Sequence, residues 1–218
     1  MKKTLAATLL ACAASLPVQA AIILVDFGPS SGNTTGAADT WNNFNGTAAA
    51  SSMALSTSTG TPSGYTLTLN NTVSPLNEPT GTQPTSPPAP FTLATVTTDG
   101  MFSTGTTTLT LSGLNSSLNY TISLFSYVNR DTSRQSRFSI NGTNIDVEPS
   151  RIGAGTSGAV ATFNNITPTA GDITISMSSL VANNWILNAM SVTEVPEPSA
   201  AVLVLSGAGL SCIRRRRA

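Results

Sequence analysis

Apolar residues in the central part of this chain recur at every second position. Nowhere between residues 21 and 193 do they recur with the three-to-four-residue period of an amphipathic helix. Tyr65, Leu67 and Leu69 alternate with Thr66, Thr68 and Asn70. Leu109 and Leu111 alternate with threonines up to Gly113, and Ile173, Ile175 and Met177 alternate with Thr174 and Ser176. Successive side chains of a strand point to opposite faces, so this period puts apolar groups on one face and hydroxyl groups on the other. Tyr120, Ile122 and Leu124 begin a longer strand, and Phe125 and Tyr127 load its second face. The stretch 21–27 reads as a buried strand ending at Gly28-Pro29. The stretches 91–97, 137–141, 144–148 and 159–163 are shorter candidates, and 185–192 closes the domain. With turn signals between most of them, about ten strands are expected. The fold class is therefore all-β, a β-sandwich of jelly-roll type.

Turn chemistry adds detail. Asn141-Gly142 between two apolar-containing runs is a two-residue hairpin turn. Residues 71–90 hold six of the 13 prolines and read as a long irregular loop. The stretch 48–55 fits either a short helix or a poor strand.

The formal charge of zero conceals an uneven distribution. Lys2 and Lys3 stand at the front, and Arg214, Arg215, Arg216 and Arg217 at the back. Residues 21–193 contain four arginines, eight acids and no lysine, a net charge of −4. Such a body has no electrostatic attraction for nucleic acid. Its solubility rests on Ser, Thr, Asn and Gly, a surface suited to neutral polysaccharide or to glycosylation. The two cysteines, Cys12 and Cys212, lie in the terminal segments, so packing rather than a disulfide must stabilise the domain.

Both ends carry targeting features. After the two lysines comes an apolar stretch to Leu16, then Pro17 and Val18-Gln19-Ala20. This is the order of a secretion signal, with cleavage by signal peptidase expected after Ala20. Leu9-Leu10-Ala11-Cys12 loosely resembles a lipoprotein box, but cutting there would leave a short apolar core and no purpose for Pro17. At the other end, Val195-Pro196-Glu197-Pro198 is held extended by its two prolines. The 14 residues 200–213 follow, spanning about 21 Å as a helix against roughly 30 Å of bilayer core. With Arg214–Arg217 as a cytoplasmic stop, this segment is a short transmembrane anchor.

The motif, the small-residue apolar segment through Gly207 and Gly209, and the terminal arginines resemble the PEP-CTERM sorting signal of bacterial envelope proteins. The resemblance covers residues 194–218. It implies recognition by a membrane-embedded exosortase, processing near Pro196-Glu197-Pro198, and release or transfer to the cell surface in bacteria that make exopolysaccharide. The expected organisation is a signal peptide (1–20), a β-sandwich ectodomain (21–193) and a sorting signal (194–218). Three further pieces resemble galactose-binding-like or malectin-like jelly rolls. They are Val25-Asp26-Phe27-Gly28 with Trp41-Asn42-Asn43-Phe44, Leu111-Ser112-Gly113-Leu114 leading to Tyr120, and Trp185-Ile186-Leu187-Asn188-Ala189-Met190. That resemblance implies adjacent first and last strands and carbohydrate binding.

Chemistry is sparsely represented. Without histidine there is no nucleophile–histidine–acid catalysis and no histidine metal site. The acids are spread too evenly to mark a metal site or a glycosidase pair, though Asp99, Asp131, Asp146 and Glu148 are the candidates for the latter. No catalytic residue, metal or cofactor is expected. Candidate ligand-binding residues are Arg130, Asp131 and Arg134, where a guanidinium fork could take a carboxylate, and Trp41 and Trp185, either buried or stacked on sugar. The expected role is a non-catalytic exported matrix protein that binds polysaccharide. The alternatives are a structural or adhesive protein with glycosylated Ser/Thr-rich loops, and a carboxylate-dependent glycan hydrolase.

Overall fold

The computed structural model describes residues 20–29, 39–78, 84–151 and 157–195. The signal segment through Gln19, the Pro196-Glu197-Pro198 motif, the apolar tail and Arg214, Arg215, Arg216 and Arg217 lie outside the described residues. Among the described residues no helix is long and apolar enough to cross a membrane. Residues 20–195 form one compact unit.

The alternating segments become strands of two facing sheets. The first sheet runs β11 (Ala159–Ile166), β8 (Asn119–Ser126), β14 (Ala189–Val195), β1 (Ile22–Phe27) and β2 (Asn42–Phe44). All its pairs are antiparallel except β1–β2. The second runs β10 (Thr143–Val147), β9 (Ser136–Ile140), β12 (Ile173–Ser179), β7 (Thr107–Ser112), β4 (Pro62–Leu69) and β3 (Ser51–Ser56), antiparallel throughout. Ile23, Val25, Ile122, Leu124 and Val192 of the first sheet meet Leu67, Leu69, Leu109, Leu111, Phe138 and Ile175 of the second in the main core, all nearly inaccessible. Burying a side chain of this size contributes roughly 1.5–3 kcal/mol, so the alternation fixes register as well as face. First and last strands are neighbours, with Ile22 opposite Thr193 and Asp26 opposite Ala189.

A third, smaller sheet joins β13 (Trp185–Leu187), β6 (Asp99–Ser103) and β5 (Ser74–Asn77). The stretch 185–192, expected as one strand, is two. The chain pairs with β6 up to Leu187, breaks at Asn188 and resumes against β1 and β8. Asn188 is fully buried and bridges both sheets. Its Oδ1 accepts from the Tyr127 amide at 2.6 Å, and its Nδ2 donates to the Asp99 carbonyl at 2.6 Å.

Two other expectations change. The stretch 91–97 is not a strand. Its only regular element is α1 (Ala94–Thr97), whose last hydroxyls return to the Ala94 carbonyl. Phe91, Leu93 and Val96 lie against Leu24, Trp41, Phe125, Tyr127 and Ala189, with Phe91 stacked on Phe125 at 5.2 Å. The run is apolar because it covers the second face of the first sheet, which also explains why Ala21–Phe27 reads as buried on both sides. The stretch 48–55 becomes a strand from Ser51 onward, the edge strand β3, and the proline-rich loop contains the short strand β5. At the β9–β10 turn, Asn141 and Gly142 both have positive φ, 49° and 79°, as a tight primed hairpin turn requires.

Candidate functional site

At the open edge of the sandwich, β2 and β3 border a cleft of about 340 Å³ lined by Asn43, Phe44, Asn45, Gly46, Ser51, Ser52 and Met53. The two strands that border it are joined by the buried Asn42. That amide donates to the carbonyls of Leu24 (2.9 Å) and Ser56 (2.8 Å) and accepts from the Ser56 amide (2.8 Å), knitting the edges of the two sheets together. Phe44 is anchored edge-on to Phe27 with ring centroids 5.8 Å apart. Gly46 is required by close approach, since a Cβ there would lie 2.4 Å from Cβ of Ser51. The lining offers amides, hydroxyls, an aromatic edge and a thioether, with no charge. It can hydrogen-bond and pack against a neutral hydroxyl-bearing molecule, and it holds no acid or base.

Ser52 also belongs to the outer face of the second sheet. There the register sets hydroxyl groups side by side across strands: Ser52 beside Thr68, Thr68 beside Thr110, Thr110 beside Thr174, and Thr108 beside Ser176 beside Ser139. Asn70 ties this face together through Nδ2 to the hydroxyls of Thr108 and Thr110. The cleft therefore opens onto a hydroxyl surface, whose charged groups, Arg137 and Asp146, lie on the far strands β9 and β10.

Of the residues expected to form a ligand site, Arg130 and Asp131 are held in ion pairs, whereas the buried Nε of Arg134 has no hydrogen-bond partner. Arg130 turns to Glu78, with Nη1 and Oε2 3.3 Å apart, while Asp131 pairs with Arg151 instead. Arg137 grips Asp146 through two bonds of 2.8 Å, which hold the aspartate below the usual carboxylate range. The Arg134 amide donates to Glu148 at 2.7 Å. Burial works against ionisation of Glu148, but hydrogen bonds from Ser133, Ser150 and the Arg134 and Ser150 amides outweigh it and lower its pKa. Glu78 is pushed up by burial and held back by Arg130 and Arg134. The cluster is an ion-paired loop network around 127–135 and 148–151.

Both tryptophans are buried, the first of the two states expected for them. Trp185 is fully enclosed and donates Nε1 to the Gly105 carbonyl at 2.7 Å. Trp41 is 7% exposed, inside the second cluster. Stacking needs an open ring face, which neither has. Of the residues singled out at the ends, Ala20 precedes β1 and Val195 ends β14 opposite Asn119. Just before it, Glu194 accepts a hydrogen bond from the Tyr65 hydroxyl.

The sequence reading missed two features. The cleft is built from Asn and Ser, residue types so common here that composition cannot single it out. Asp26 and Asp99 are buried, 4% and 1% exposed, and adjacent, and burial followed by the charge of Asp99 raises Asp26 to about 8. An acid inside an otherwise apolar buried strand was the available signal. Among the described residues no three acidic, cysteine or histidine side chains cluster as a metal site.

These elements define an all-β sandwich with an uncharged edge cleft. Among solved structures the ANX1 ectodomain from Arabidopsis thaliana is similar, with a TM-score of 0.50 and 13% identity over 81% of this chain and 48% of that one. The ANX2 ectodomain from the same plant gives 0.46 and 12% over 57% and 40%, and CBM35 from Cellvibrio japonicus Abf62 gives 0.31 and 20% over 40% and 64%. The chain thus spans less than two thirds of the length of each. The likeness to ANX1 is one of fold. No protein-family model and no curated protein matches the chain.

Proposed function

We propose that this chain is an exported, exosortase-sorted, non-catalytic protein of the bacterial cell surface or extracellular matrix whose β-sandwich binds neutral polysaccharide. The observation that carries the binding role is the β2–β3 cleft, lined by amides and hydroxyls with Phe44 and Met53 and continuous through Ser52 with a hydroxyl face. A neutral sugar offers matching donors and acceptors and brings no charge that the site would have to compensate. The non-catalytic reading is supported by the acids. Asp131 and Asp146 are held by different arginines, and Asp26 and Asp99 are sealed from any substrate.

The sorting role rests on Pro196-Glu197-Pro198 ahead of an apolar segment and Arg214–Arg217, together with the secretion signal ending at Ala20. Its partners are then signal peptidase, an exosortase-type membrane enzyme, the membrane as a transient anchor, and exopolysaccharide. Two experiments test the two halves. Pull-down of the purified protein on the host's own exopolysaccharide should retain it, and Ser52→Lys together with Asn45→Ala should abolish retention. Retention unchanged in that variant would reject the cleft. Fractionation should place a shortened chain outside the inner membrane, and replacing Pro196-Glu197-Pro198 by alanines should leave an uncut, membrane-held form. An uncut full-length chain free in the cytosol would reject the sorting role.

A further inference from the structure

Asp26 occupies a position in β1 that its surroundings would suit to an apolar side chain. It follows Leu24 on the outer face of the first sheet, and Leu24 packs with Phe91 and Val96 of the segment 84–98 that covers this face. Its in-register neighbours are Ala189 on β14 and the neutral Asn43 on β2. Asp26 is 4% exposed, and its Oδ1 has no hydrogen-bond partner. Residues 84–98 contain no charged side chain, and the residue that follows them is a second buried acid, Asp99.

Packing brings the second acid up to the first. Gly28 stands two residues beyond Asp26, and a Cβ there would lie 2.7 Å from Cγ and Oδ2 of Asp99. The Asp99 carboxyl thus fills the side-chain space next along the strand. The arginines of residues 21–193 serve other acids: Arg130 and Arg134 act on Glu78, Arg137 on Asp146 and Arg151 on Asp131. Sealing two negative charges side by side away from water is costly, and a proton on one of them removes most of that cost. Burial, and after it the charge of Asp99, accordingly lifts Asp26 from 3.8 to about 8. Among the described residues Asp99 is the titratable group that faces it, since β14 and β2 present Ala189 and Asn43 and the covering segment is neutral.

We infer that the covering segment 84–98 is a proton-dependent clamp: closed over the first sheet it keeps Asp26 neutral, and lifted it lets Asp26 meet water and ionise. The acid's pKa is raised in the closed form, so closure is at full strength below 3.8 and weakens as pH rises through about 8. Between those limits each opening releases one proton, and opening becomes up to about tenfold easier per pH unit before levelling off. The chain has no histidine, so few other groups titrate in this window. The inference is independent of polysaccharide binding.

The test is limited proteolysis of the purified full chain by subtilisin from about pH 5 to about pH 10, with cuts within 84–98 read by mass spectrometry. Each rate is divided by that of Asp26→Asn at the same pH, which cancels the protease's own pH dependence. At protease levels where reclosing outpaces cutting, the rate reports the open population. The ratio should rise by up to about tenfold per pH unit to about pH 8 and then flatten. A ratio that does not change with pH would overturn the inference. Should Asp26→Asn fail to fold, infrared difference spectra of the wild-type chain carrying ¹³C-carboxyl aspartate decide the question, the label setting Glu78 aside. A protonated aspartate C=O band present at about pH 6 and lost by about pH 10 is the expected result, and no such band at the lower pH would overturn the inference.

Discussion

Single residues carry unequal weight here, and Asn188 carries much of it. It is the point where the chain leaves the third sheet for the first, and its side chain serves groups from both. Asn188→Ala should orphan the Tyr127 amide and the Asp99 carbonyl at roughly 1–3 kcal/mol each, measurable by urea denaturation. Trp185→Ala should cost roughly 3–5 kcal/mol, because it empties a fully buried site and frees the Gly105 carbonyl. Glu148 gives a pH prediction. Its folded pKa lies below its unfolded value of 4.5, so its stabilising effect is complete above that value and is lost as pH falls through the folded one. Acid unfolding should therefore have a shallower slope in Glu148→Gln. At this scale the sequence was legible where chemistry was rare. The arginine cluster stood out and did prove to be a cluster, but its partners, such as Glu78, come from far along the chain. Asp26 was counted among scattered acids although its apolar neighbours marked it as buried.

At the scale of elements, alternation was a good guide wherever a strand has one buried face. Leu109 and Leu111, Ile173 to Met177, and Tyr120 to Leu124 all fall in the expected strands. It failed where a segment is apolar for another reason. Residues 91–97 lie across a sheet face rather than along a sheet edge, and period alone cannot separate those cases. The break at Asn188 was hidden because neither glycine nor proline marks it, β2 and β5 are too short for alternation to show, and β6 is buried at three successive residues, Asp99 to Met101. The covering segment leads to a further prediction. Phe91→Ala removes its stacking on Phe125 and should destabilise the domain by roughly 3–5 kcal/mol. It should also make 84–98 the first site of limited proteolysis, read by mass spectrometry of the fragments.

At the scale of the whole molecule, charge is divided by region. The termini carry six of the ten basic residues, while the body keeps three of its four arginines in pairs with acids. What remains on the second sheet is largely hydroxyl and amide, and the edge cleft opens onto that surface. Binding through such groups does not depend on counter-ions, so its affinity should be insensitive to ionic strength. The deciding measurement is calorimetric titration of the purified protein with the host's neutral exopolysaccharide at about 50 and 500 mM salt. Saturable binding of equal affinity at both salt concentrations, lost in Ser52→Lys with Asn45→Ala, is the expected result. No heat of binding, or an affinity that collapses at high salt and ignores the cleft substitutions, would contradict it.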